Sequence, residues 1–521
     1  MRYLKLVALF AVLCFSVAQV QAQEPEAETP SAATHASTAA STQQKETGKE
    51  KKPEEQPEKP PVITHHEIRV HGTALKYTAT AGLLPIQNAD GETEAHMFFV
   101  AYTLDNPPAR RPLTFCFNGG PGSSSVWLHL GAIGPKRVRL QTDGKMPRPP
   151  FQLEDNQYTW LDQTDLVFID PVGTGYSRAV KKELARKFWS IQGDIESVGD
   201  FIRLYLTRYE RWDSPLFLAG ESYGTTRAAG LSNYLLEHGI ALNGIVLIST
   251  ALNFQALEFA KGNELPYVLY LPSYAATAWY HKKLAPELQA NLEKTLAEVK
   301  QWASTDYLQA LNKGDRISPE ERASVIDHLA RYTGISKDYI KLTNLRIKAS
   351  DFEKELLRSE NRTVGRLDSR FTGIDASGVT ATPDYDPLVT EERPPFTSTF
   401  NNYVRADLGY KSDERYYILG GMVKQWNWGS AARGFPDVAP DLRSAMVKNR
   451  YLKIFVASGY FDLGTPFYAT HYVLDHLGLD PTLRGNITTR EFDSGHMIYI
   501  NDESLAKLRP DVTAFIQNAL K

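Results

Sequence analysis

Cysteine is nearly absent from this chain, with two among 521 residues. The first, Cys14, falls within a leader that we predict to be removed, so Cys116 would remain alone. A single cysteine excludes an intrachain disulfide, whereas exported eukaryotic enzymes of this size usually carry several. Because the chain is also predicted to be exported, we expect it in the bacterial periplasm or the extracellular medium.

The chain also lacks an excess of positive charge and a long apolar run, which argues against nucleic acid and a membrane as partners. Lys and Arg number 58 against 61 Asp and Glu, so the chain has no positive excess that would favour nucleic acid. The apolar run at residues 6–18 is too short to span a bilayer comfortably, and we expect no stable membrane anchor. Residues 1–22 instead predict a signal peptide, with Arg2 and Lys5 before the apolar run and small residues around Ala22.

Composition changes sharply along the remaining chain. Residues 23–61 are rich in Glu, Pro, Ala, Ser and Thr, contain almost no aliphatic or aromatic residues, and predict a disordered tether. Globular sequence begins near residue 62. Apolar and polar residues alternate at 67–72, 75–79 and 95–103, which predicts an opening set of antiparallel strands.

Continuous apolar runs bounded by glycine follow, and they are typical of parallel strands that are buried on both faces. These predicted strands are residues 113–117, 165–170, 216–219, 244–249, 452–457 and 488–492. Helical spacing of apolar residues predicts helices at 190–211, 466–478 and 510–520. The alternation predicts an α/β fold: a mostly parallel central sheet with helices on both faces.

A long segment interrupts this alternation. We interpret residues 62–250 and 441–521 as two parts of one core, and residues 251–440 as a largely helical insertion, with helices predicted at 285–303 and 319–333. An insertion at this point would lie over the C-terminal edge of the sheet, where ligands of such folds bind. The insertion is therefore predicted to be a cap.

The strongest local signal is the pentapeptide GESYG at residues 220–224. It lies between an apolar strand and a helix predicted for residues 225–239, and this context distinguishes a nucleophile elbow from a chance match to G-x-S-x-G. Ser222 is the candidate nucleophile, with the amide of Tyr223 directed at the same position. Without that context, Ser222 would be an ordinary loop residue.

A serine nucleophile needs a base, and the base needs a carboxylate that orients it. Asp462 and His496 each follow a late predicted strand in a glycine-containing loop, in the chain order of α/β-hydrolases. Taken alone, Asp462 is more typical of a turn, and His496 of a packed or exposed histidine. Together with Ser222 they predict a catalytic triad.

The loop FNGGPGSSS at residues 117–125 follows the first buried strand, and its glycine amides could reach a developing oxyanion. A plain turn is also compatible with this loop, whereas a phosphate site is disfavoured because no Lys-Ser/Thr pair follows the glycines. His471 and His476 are five residues apart, so they would not lie on one face of a helix, as two ligands of one metal ion would need to. We expect no metal and no cofactor.

Four ordered blocks make the chain similar to the serine carboxypeptidase family, peptidase family S10, as a bacterial-type member within the α/β-hydrolase superfamily. The blocks are NGGPGSS at 118–124, DPVGTGYS at 170–177, GESYG at 220–224 and GHM at 495–497. The resemblance implies an α/β-hydrolase fold and a triad of Ser222, Asp462 and His496. It also implies that Gly120 and Tyr223 provide the oxyanion amides.

The family removes C-terminal residues from peptides, and the resemblance implies that Asn118 and Glu221 hydrogen-bond the terminal carboxylate of the substrate. A protonated Glu can donate such a bond, whereas an ionised one would repel the carboxylate. The chain departs from the family at Ala132, where a second Glu is expected, and at Cys116, where Trp is common. We therefore expect a weakened acid preference and hypothesise that Cys116 makes the protein sensitive to bulky thiol reagents.

The sequence as a whole predicts an exported serine carboxypeptidase, a serine hydrolase that releases C-terminal residues from peptides through an acyl-enzyme. An esterase or acyltransferase on the same triad is the alternative, because Ala132 removes one carboxyl from the expected carboxylate site. A non-catalytic binding protein is disfavoured, since candidates for all three triad members are present.

Overall fold

The computed structural model of the protein describes residues 59–429 and 434–521. The signal peptide predicted for residues 1–22, and residues 23–58 of the predicted tether, lie outside these ranges. No helix within the described ranges is both long enough and apolar enough to cross a bilayer.

Most strands of the described chain belong to one large sheet. The strands are β1 (Val62–Val70), β2 (Thr73–Gln87), β3 (Thr93–Leu104), β4 (Leu113–Phe117), β5 (Lys136–Val138), β6 (Leu153–Asp155), β7 (Asp165–Ile169), β8 (Arg178–Ala179), β9 (Leu216–Glu221), β10 (Gly244–Ile248), β11 (Thr363–Val364), β12 (Thr372–Gly373), β13 (Lys453–Gly459) and β14 (Ile487–Phe492).

Helices connect the later strands and fill the long insertion. They are α1 (Val126–Leu128), α2 (Ala185–Phe188), α3 (Ile191–Arg208), α4 (Tyr223–Glu237), α5 (Leu265–Tyr280), α6 (Pro286–Gln289), α7 (Leu292–Trp302), α8 (Leu308–Lys313), α9 (Pro319–Thr333), α10 (Lys337–Leu342), α11 (Ala349–Glu355), α12 (Pro387–Ala406), α13 (Ala439–Lys448), α14 (Phe467–Asp475), α15 (Pro481–Arg484) and α16 (Asp502–Ala519).

The main sheet has the strand order β1-β2-β3-β7-β4-β9-β10-β13-β14, with β8 paired to β3 beside this path. Pairs among β1, β2, β3 and β7 are antiparallel, and every pair from β7 to β14 is parallel. The register sets Phe117 opposite Gly220, and Glu221 opposite Ile248. The carboxyl ends of neighbouring parallel strands are therefore level, and the mostly parallel sheet predicted from the sequence is confirmed.

The opening strands are longer than the alternation predicts. β2 runs to Gln87, and its second half is buried on nearly every residue, so its sequence does not alternate. β3 shares this two-sided burial over its central residues. Alternation marks a strand only where one face meets water, which explains why the predicted segments end early.

Successive residues of the central strands face two separate apolar cores. On β9, Leu218 packs with Ile202 of α3 and Leu231 of α4 in one core. Its neighbour Phe217 packs edge-on against Phe515 of α16 in the other. Side chains alternate across a strand, so helices cover both faces of the sheet, as predicted.

The insertion between β10 and β13 has a third apolar core, formed by helices such as α5, α7 and α9. The single helix predicted for residues 285–303 is wrong: it is two helices, α6 and α7. The side chain of Asn291 accepts a hydrogen bond from the Lys294 amide and so caps the start of α7. The helix predicted for residues 319–333 is confirmed, with Ser318 as its capping residue.

The closing helix, predicted to begin at Pro510, starts earlier, at Asp502. The side chain of Asn501 accepts from the Ser504 amide and caps the helix, and acidic residues fill its first turn. Pro510 lies inside α16, where its missing N–H removes one backbone hydrogen bond without ending the helix.

Candidate active site

Ser222 lies on the sharp turn between β9 and α4. Its φ of 60° falls in a backbone region that non-glycine residues seldom adopt. The turn brings backbone segments very close together: a Cβ on Gly220 would lie 2.4 Å from the Gly224 carbonyl oxygen. A Cβ on Gly224 would lie 2.8 Å from the carbonyl oxygen of Phe117. Neither flanking position has room for a side chain, so both must be glycine, as the nucleophile-elbow interpretation predicts.

Asp462 and His496 meet at the ends of β13 and β14. His496 Nδ1 is 2.7 Å from Asp462 Oδ2, and both side chains are buried. The other carboxylate oxygen, Asp462 Oδ1, accepts from the amides of Gly464 at 2.7 Å and Thr465 at 3.0 Å. Thr465 Oγ1 donates to Asp462 Oδ2 at 2.7 Å. These donors hold the carboxylate in place to accept from the imidazole.

His496 is fixed through its backbone as well as its ring. Its amide donates to the Leu367 carbonyl at 2.6 Å, and the Ser249 hydroxyl donates to its carbonyl at 2.6 Å. Burial alone would lower the pKa of His496, but the charge and hydrogen bond of Asp462, together with Glu221, raise it. With Nδ1–H directed at Asp462, the unprotonated Nε2 is left to act as a base.

The glycine-rich loop after β4 lies directly against the start of α4. A Cβ on Gly119 would be 2.4 Å from the Tyr223 nitrogen, and Gly120 has a φ of 103°. Tyr223 is the first residue of α4, so its N–H has no partner within that helix. Gly120 and Tyr223 line the same cavity as Ser222 and His496.

Asn118 and Glu221 lie next to this machinery and are almost fully buried. The Leu128 amide donates to Asn118 Oδ1 at 3.0 Å, which leaves the NH2 group of Asn118 directed elsewhere. Asn118 and Tyr499, which is also fully buried, hydrogen-bond to Glu221 and favour its ionised form. Burial raises the pKa of Glu221 to about 7, despite the lowering influence of His496. The neutral carboxyl can donate a hydrogen bond.

Arg227 and Asp194, which the sequence analysis did not select, form a buried ion pair under the glycine-rich loop. Arg227 Nε is 2.8 Å from Asp194 Oδ2, and Arg227 Nη1 donates to the Asn118 carbonyl at 2.7 Å. The guanidinium also lies over the Tyr223 ring, 5.4 Å from its centroid. In the sequence, this pair could have been found from a charged residue at a buried position of each helix, Asp194 on α3 and Arg227 on α4.

The DPVGTGYS block supports the same loop and does not line the cavity. Asp170 Oδ1 accepts from the Ser125 amide at 2.9 Å. A Cβ on Gly175 would be 1.7 Å from Asp170 Oδ2, so glycine is needed there. Burial raises the pKa of Asp170 to about 7. This block therefore holds the position of residues 117–125.

A cavity of about 530 Å³ opens beside Ser222. The insertion supplies many of its walls, including Phe254, Tyr270, Glu353, Arg366 and Trp428. Burial raises the pKa of Glu353 to about 8, although Arg366 opposes this. The cavity is thus lined by aromatic rings and by charged groups that no motif in the sequence indicated.

Two of the remaining candidates take no part in this site. Cys116 is fully buried, and burial raises the pKa of its thiol, so the structure argues against the predicted sensitivity to bulky thiol reagents. His471 contacts Glu491, with Nε2 2.5 Å from Oε1. Among the described residues, no group of three or more His, Cys, Asp or Glu side chains has the arrangement of a metal site.

Comparisons with known proteins agree with this geometry. A family model described as serine carboxypeptidase matches residues 71–498. Serine carboxypeptidase S10 family member 1 of Dictyostelium discoideum is 26% identical over 196 residues, which are 37% of this chain and 42% of that relative. Pheromone-processing carboxypeptidase KEX1 of Saccharomyces cerevisiae is 33% identical over 174 residues, 30% of this chain and 22% of the relative. The matched regions span less than half of each relative's length.

A solved structure is also similar to this chain. It is KEX1(delta)p, a prohormone-processing carboxypeptidase from Saccharomyces cerevisiae, with a TM-score of 0.52 and 18% sequence identity. The match covers 85% of this chain and 91% of that one. At this identity the likeness concerns the fold, which is the predicted α/β-hydrolase fold.

Proposed function

Because the chain belongs to the serine carboxypeptidase family, we propose that it is an exported serine carboxypeptidase that releases C-terminal residues from peptides. The observation that carries the proposal is a pair of buried side chains next to Ser222: the NH2 group of Asn118 and the carboxyl of Glu221, whose raised pKa of about 7 makes it a hydrogen-bond donor below neutral pH. A terminal carboxylate could accept a hydrogen bond from each of these two groups.

In the proposed reaction, Ser222 Oγ attacks the carbonyl carbon of the last peptide bond while His496 Nε2 takes the hydroxyl proton. The amides of Gly120 and Tyr223 donate to the oxyanion that forms. The tetrahedral intermediate then expels the C-terminal amino acid, whose nitrogen takes the proton from His496. An ester between the remaining peptide and Ser222 is left.

Water completes the cycle. It gives a proton to His496 and attacks the ester carbonyl, and Ser222 Oγ recovers that proton as the shortened peptide leaves. Asp462 holds His496 in the required tautomer through the 2.7 Å contact to Nδ1, and stabilises the imidazolium that forms twice per turnover.

Binding of the terminal carboxylate would select the scissile bond. Asn118 can donate from its NH2 group because its Oδ1 accepts from the Leu128 amide. Glu221 donates in its neutral form, which its pKa of about 7 favours below neutral pH. Only one carboxyl, that of Glu221, would serve here, because Ala132 has none to offer.

The rest of the peptide would occupy the cavity on the acyl side of Ser222. Its volume of about 530 Å³ suits one or two side chains.

We further propose that residues 62–250 and 441–521 form the catalytic core and residues 251–440 its cap. Export to the periplasm or medium, after cleavage of residues 1–22, is part of the same proposal.

The test compares an N-blocked dipeptide with its C-terminal amide, using the wild-type protein and Ser222→Ala. We expect hydrolysis of the free acid with a strong preference over the amide, and loss of about 10⁴-fold or more in kcat for Ser222→Ala. Equal hydrolysis of acid and amide would contradict carboxylate recognition. Hydrolysis of simple esters without hydrolysis of the acid would favour the esterase or acyltransferase alternative.

A further inference from the structure

A short segment of the insertion, residues 366–370, is hydrogen-bonded to both of the loops that carry the later triad residues. In the loop after β13, the Leu463 amide donates to the Arg366 carbonyl at 2.9 Å. In the loop after β14, the His496 amide donates to the Leu367 carbonyl at 2.6 Å. We call these five residues the bridging segment, because they connect two loops that belong to different strands.

An ion pair within the bridging segment adds side-chain contacts to both loops. Asp368 is fully buried, and its Oδ2 accepts from the Gly495 amide at 3.0 Å. Arg370 Nε is 2.9 Å from Asp368 Oδ1, and Arg370 Nη1 donates to the backbone carbonyl of Asp493 at 2.7 Å. The guanidinium also lies over the Phe461 ring, 5.3 Å from its centroid. The pair thus contacts the loop after β14 and the loop after β13 at once.

The bridging segment fits closely against both loops. A Cβ on Gly495 would lie 2.4 Å from the Cβ of Asp368. The amide and the hydroxyl of Ser369 each donate to the Phe461 carbonyl at 3.0 Å. The loops also contact each other directly, because the Phe461 amide donates to the Ser494 carbonyl at 3.0 Å. Buried networks of this kind restrict the motion of the groups that they connect.

The contact that depends on these loops is the one between Asp462 and His496. Their side chains meet at 2.7 Å, and that distance keeps the imidazole in the tautomer that leaves Nε2 free. A misplacement of about 1 Å in a catalytic group can cost about 100-fold in rate. Asp368 and Arg370 are not among the residues that line the cavity beside Ser222, so they would act through the loops and not on the substrate.

We propose that Asp368 and Arg370 are positioning residues that hold Asp462 and His496 at hydrogen-bonding distance. The inference rests on the proposed function, because it assigns these residues a role in the activity of the triad. It also extends the role of the insertion, which would supply part of the catalytic geometry in addition to the walls of the cavity.

The test measures kcat and KM of the full chain on an N-blocked dipeptide and on the methyl ester of the same dipeptide. Rates are expressed per Ser222 that a fluorophosphonate probe labels at completion, so that unfolded protein is not counted. Arg370→Ala removes the contacts with Phe461 and with the loop after β14. We expect kcat per labelled site to fall by about 10- to 100-fold on both substrates, with KM within about twofold.

Arg370→Lys is a second, milder variant that retains the positive charge beside Asp368. A lysine cannot contact the carboxylate and the backbone carbonyl of Asp493 in the geometry of the guanidinium. We therefore expect a smaller fall in kcat per labelled site, about three- to tenfold, with the same unchanged KM. The rate constant of labelling by the probe, which needs the triad but no particular substrate, should fall with kcat in both variants.

Arg346→Ala is the matched control. Arg346 also lies in the insertion and binds a carboxylate with two nitrogens: Nη2 is 2.6 Å from Glu264 Oε1, and Nε is 2.9 Å from Glu264 Oε2. Its other side-chain hydrogen bonds go to the carbonyls of Asn344 and Leu311. We expect this variant to lower the midpoint of thermal unfolding but to leave kcat per labelled site unchanged.

The outcomes separate this inference from the proposed function. Unchanged kcat per labelled site and unchanged labelling rate in both Arg370 variants would mean that the ion pair only stabilises the fold, and would overturn the proposal. A rise in KM without a fall in kcat would overturn it as well. If the wild-type protein hydrolyses the ester but not the free acid, the carboxypeptidase function fails, while the ester rates and the labelling rates still decide the role of Arg370.

Discussion

On one side of Ser222 lie Asn118, Glu221 and Tyr499, buried groups that the sheet and its loops carry, while on the other side lies a cavity of about 530 Å³. The cavity walls come largely from the insertion, through residues such as Phe254 and Trp428. The first side is enclosed and offers hydrogen-bond donors of fixed position. The second is open and is lined by aromatic and charged side chains. Under the proposed function, this difference predicts that hydrogen bonds to a carboxylate select the leaving residue, whereas the size and charge of the cavity select the acyl portion.

Loss of a triad residue should lower the activity on free-acid and ester substrates equally. Asp462→Asn keeps the size of the side chain but favours the wrong tautomer of His496. We expect kcat to fall by about 10⁴-fold on free-acid and ester substrates alike. Asp493→Asn is the matched control, an exposed carboxyl near the end of β14, and should retain full activity. A loss confined to the free acid would mean that Asp462 serves binding and not the base.

The pH dependence of KM should differ between free-acid and ester substrates. Glu221 is neutral below its pKa of about 7 and ionised above it. We expect KM for free-acid peptides to rise about tenfold per pH unit above neutral, because the ionised carboxyl repels the substrate. Ester substrates should lack this rise. Both substrates should lose kcat at low pH, when His496 is protonated, and its raised pKa shifts that loss upward.

Glu221→Gln provides the sharpest check of this assignment. The amide can donate a hydrogen bond at any pH, so KM for the free acid should become independent of pH across neutrality while the ester profile stays unchanged. An unaltered rise in KM in this variant would show that another group titrates.

The smallest effect should come from the acyl side. Trp428 lines the cavity and packs near Phe254, with ring centroids 4.9 Å apart. We expect Trp428→Ala to raise KM by about three- to tenfold for substrates with a large penultimate side chain, through lost apolar contact. Substrates with alanine there should change little, and the acid-to-ester preference should be preserved. Trp212→Ala, an exposed indole outside the cavity lining, is the matched control.

The sequence predicted the fold and the candidate site best where local backbone geometry restricts the choice of residue. The elbow at Ser222 and the loop at Gly120 need glycine because a Cβ there would come within 3 Å of backbone atoms, and such a requirement is visible in a few adjacent residues. The strands that carry these residues are buried on both faces, so they read as continuous apolar runs. The sheet and the candidate site could therefore be predicted together.

The residues that were missed depend on contacts distant in sequence. Asp368 contacts the Gly495 amide, 127 residues further along the chain, and Arg227 pairs with Asp194 on another helix. Glu353 lines the cavity together with Ser222, although the two residues are far apart in the sequence. Neither hydrophobic periodicity nor a short motif indicates such contacts between residues that are distant in the sequence. The same limit explains why the break between α6 and α7, set by a single Asn cap, was not predicted.

Strand order has one more consequence. The carboxyl ends of β4 and β9 deliver the glycine loop and Ser222, whereas Asp462 and His496 follow β13 and β14, the last strands to be made and the last in the sheet. A ribosome releases them only near the end of synthesis. Under the proposed function, a growing chain has the nucleophile Ser222 without its base, so an unfinished copy would be unable to cleave the peptides around it. The strand order of the sheet would thus delay the proposed activity until synthesis is complete.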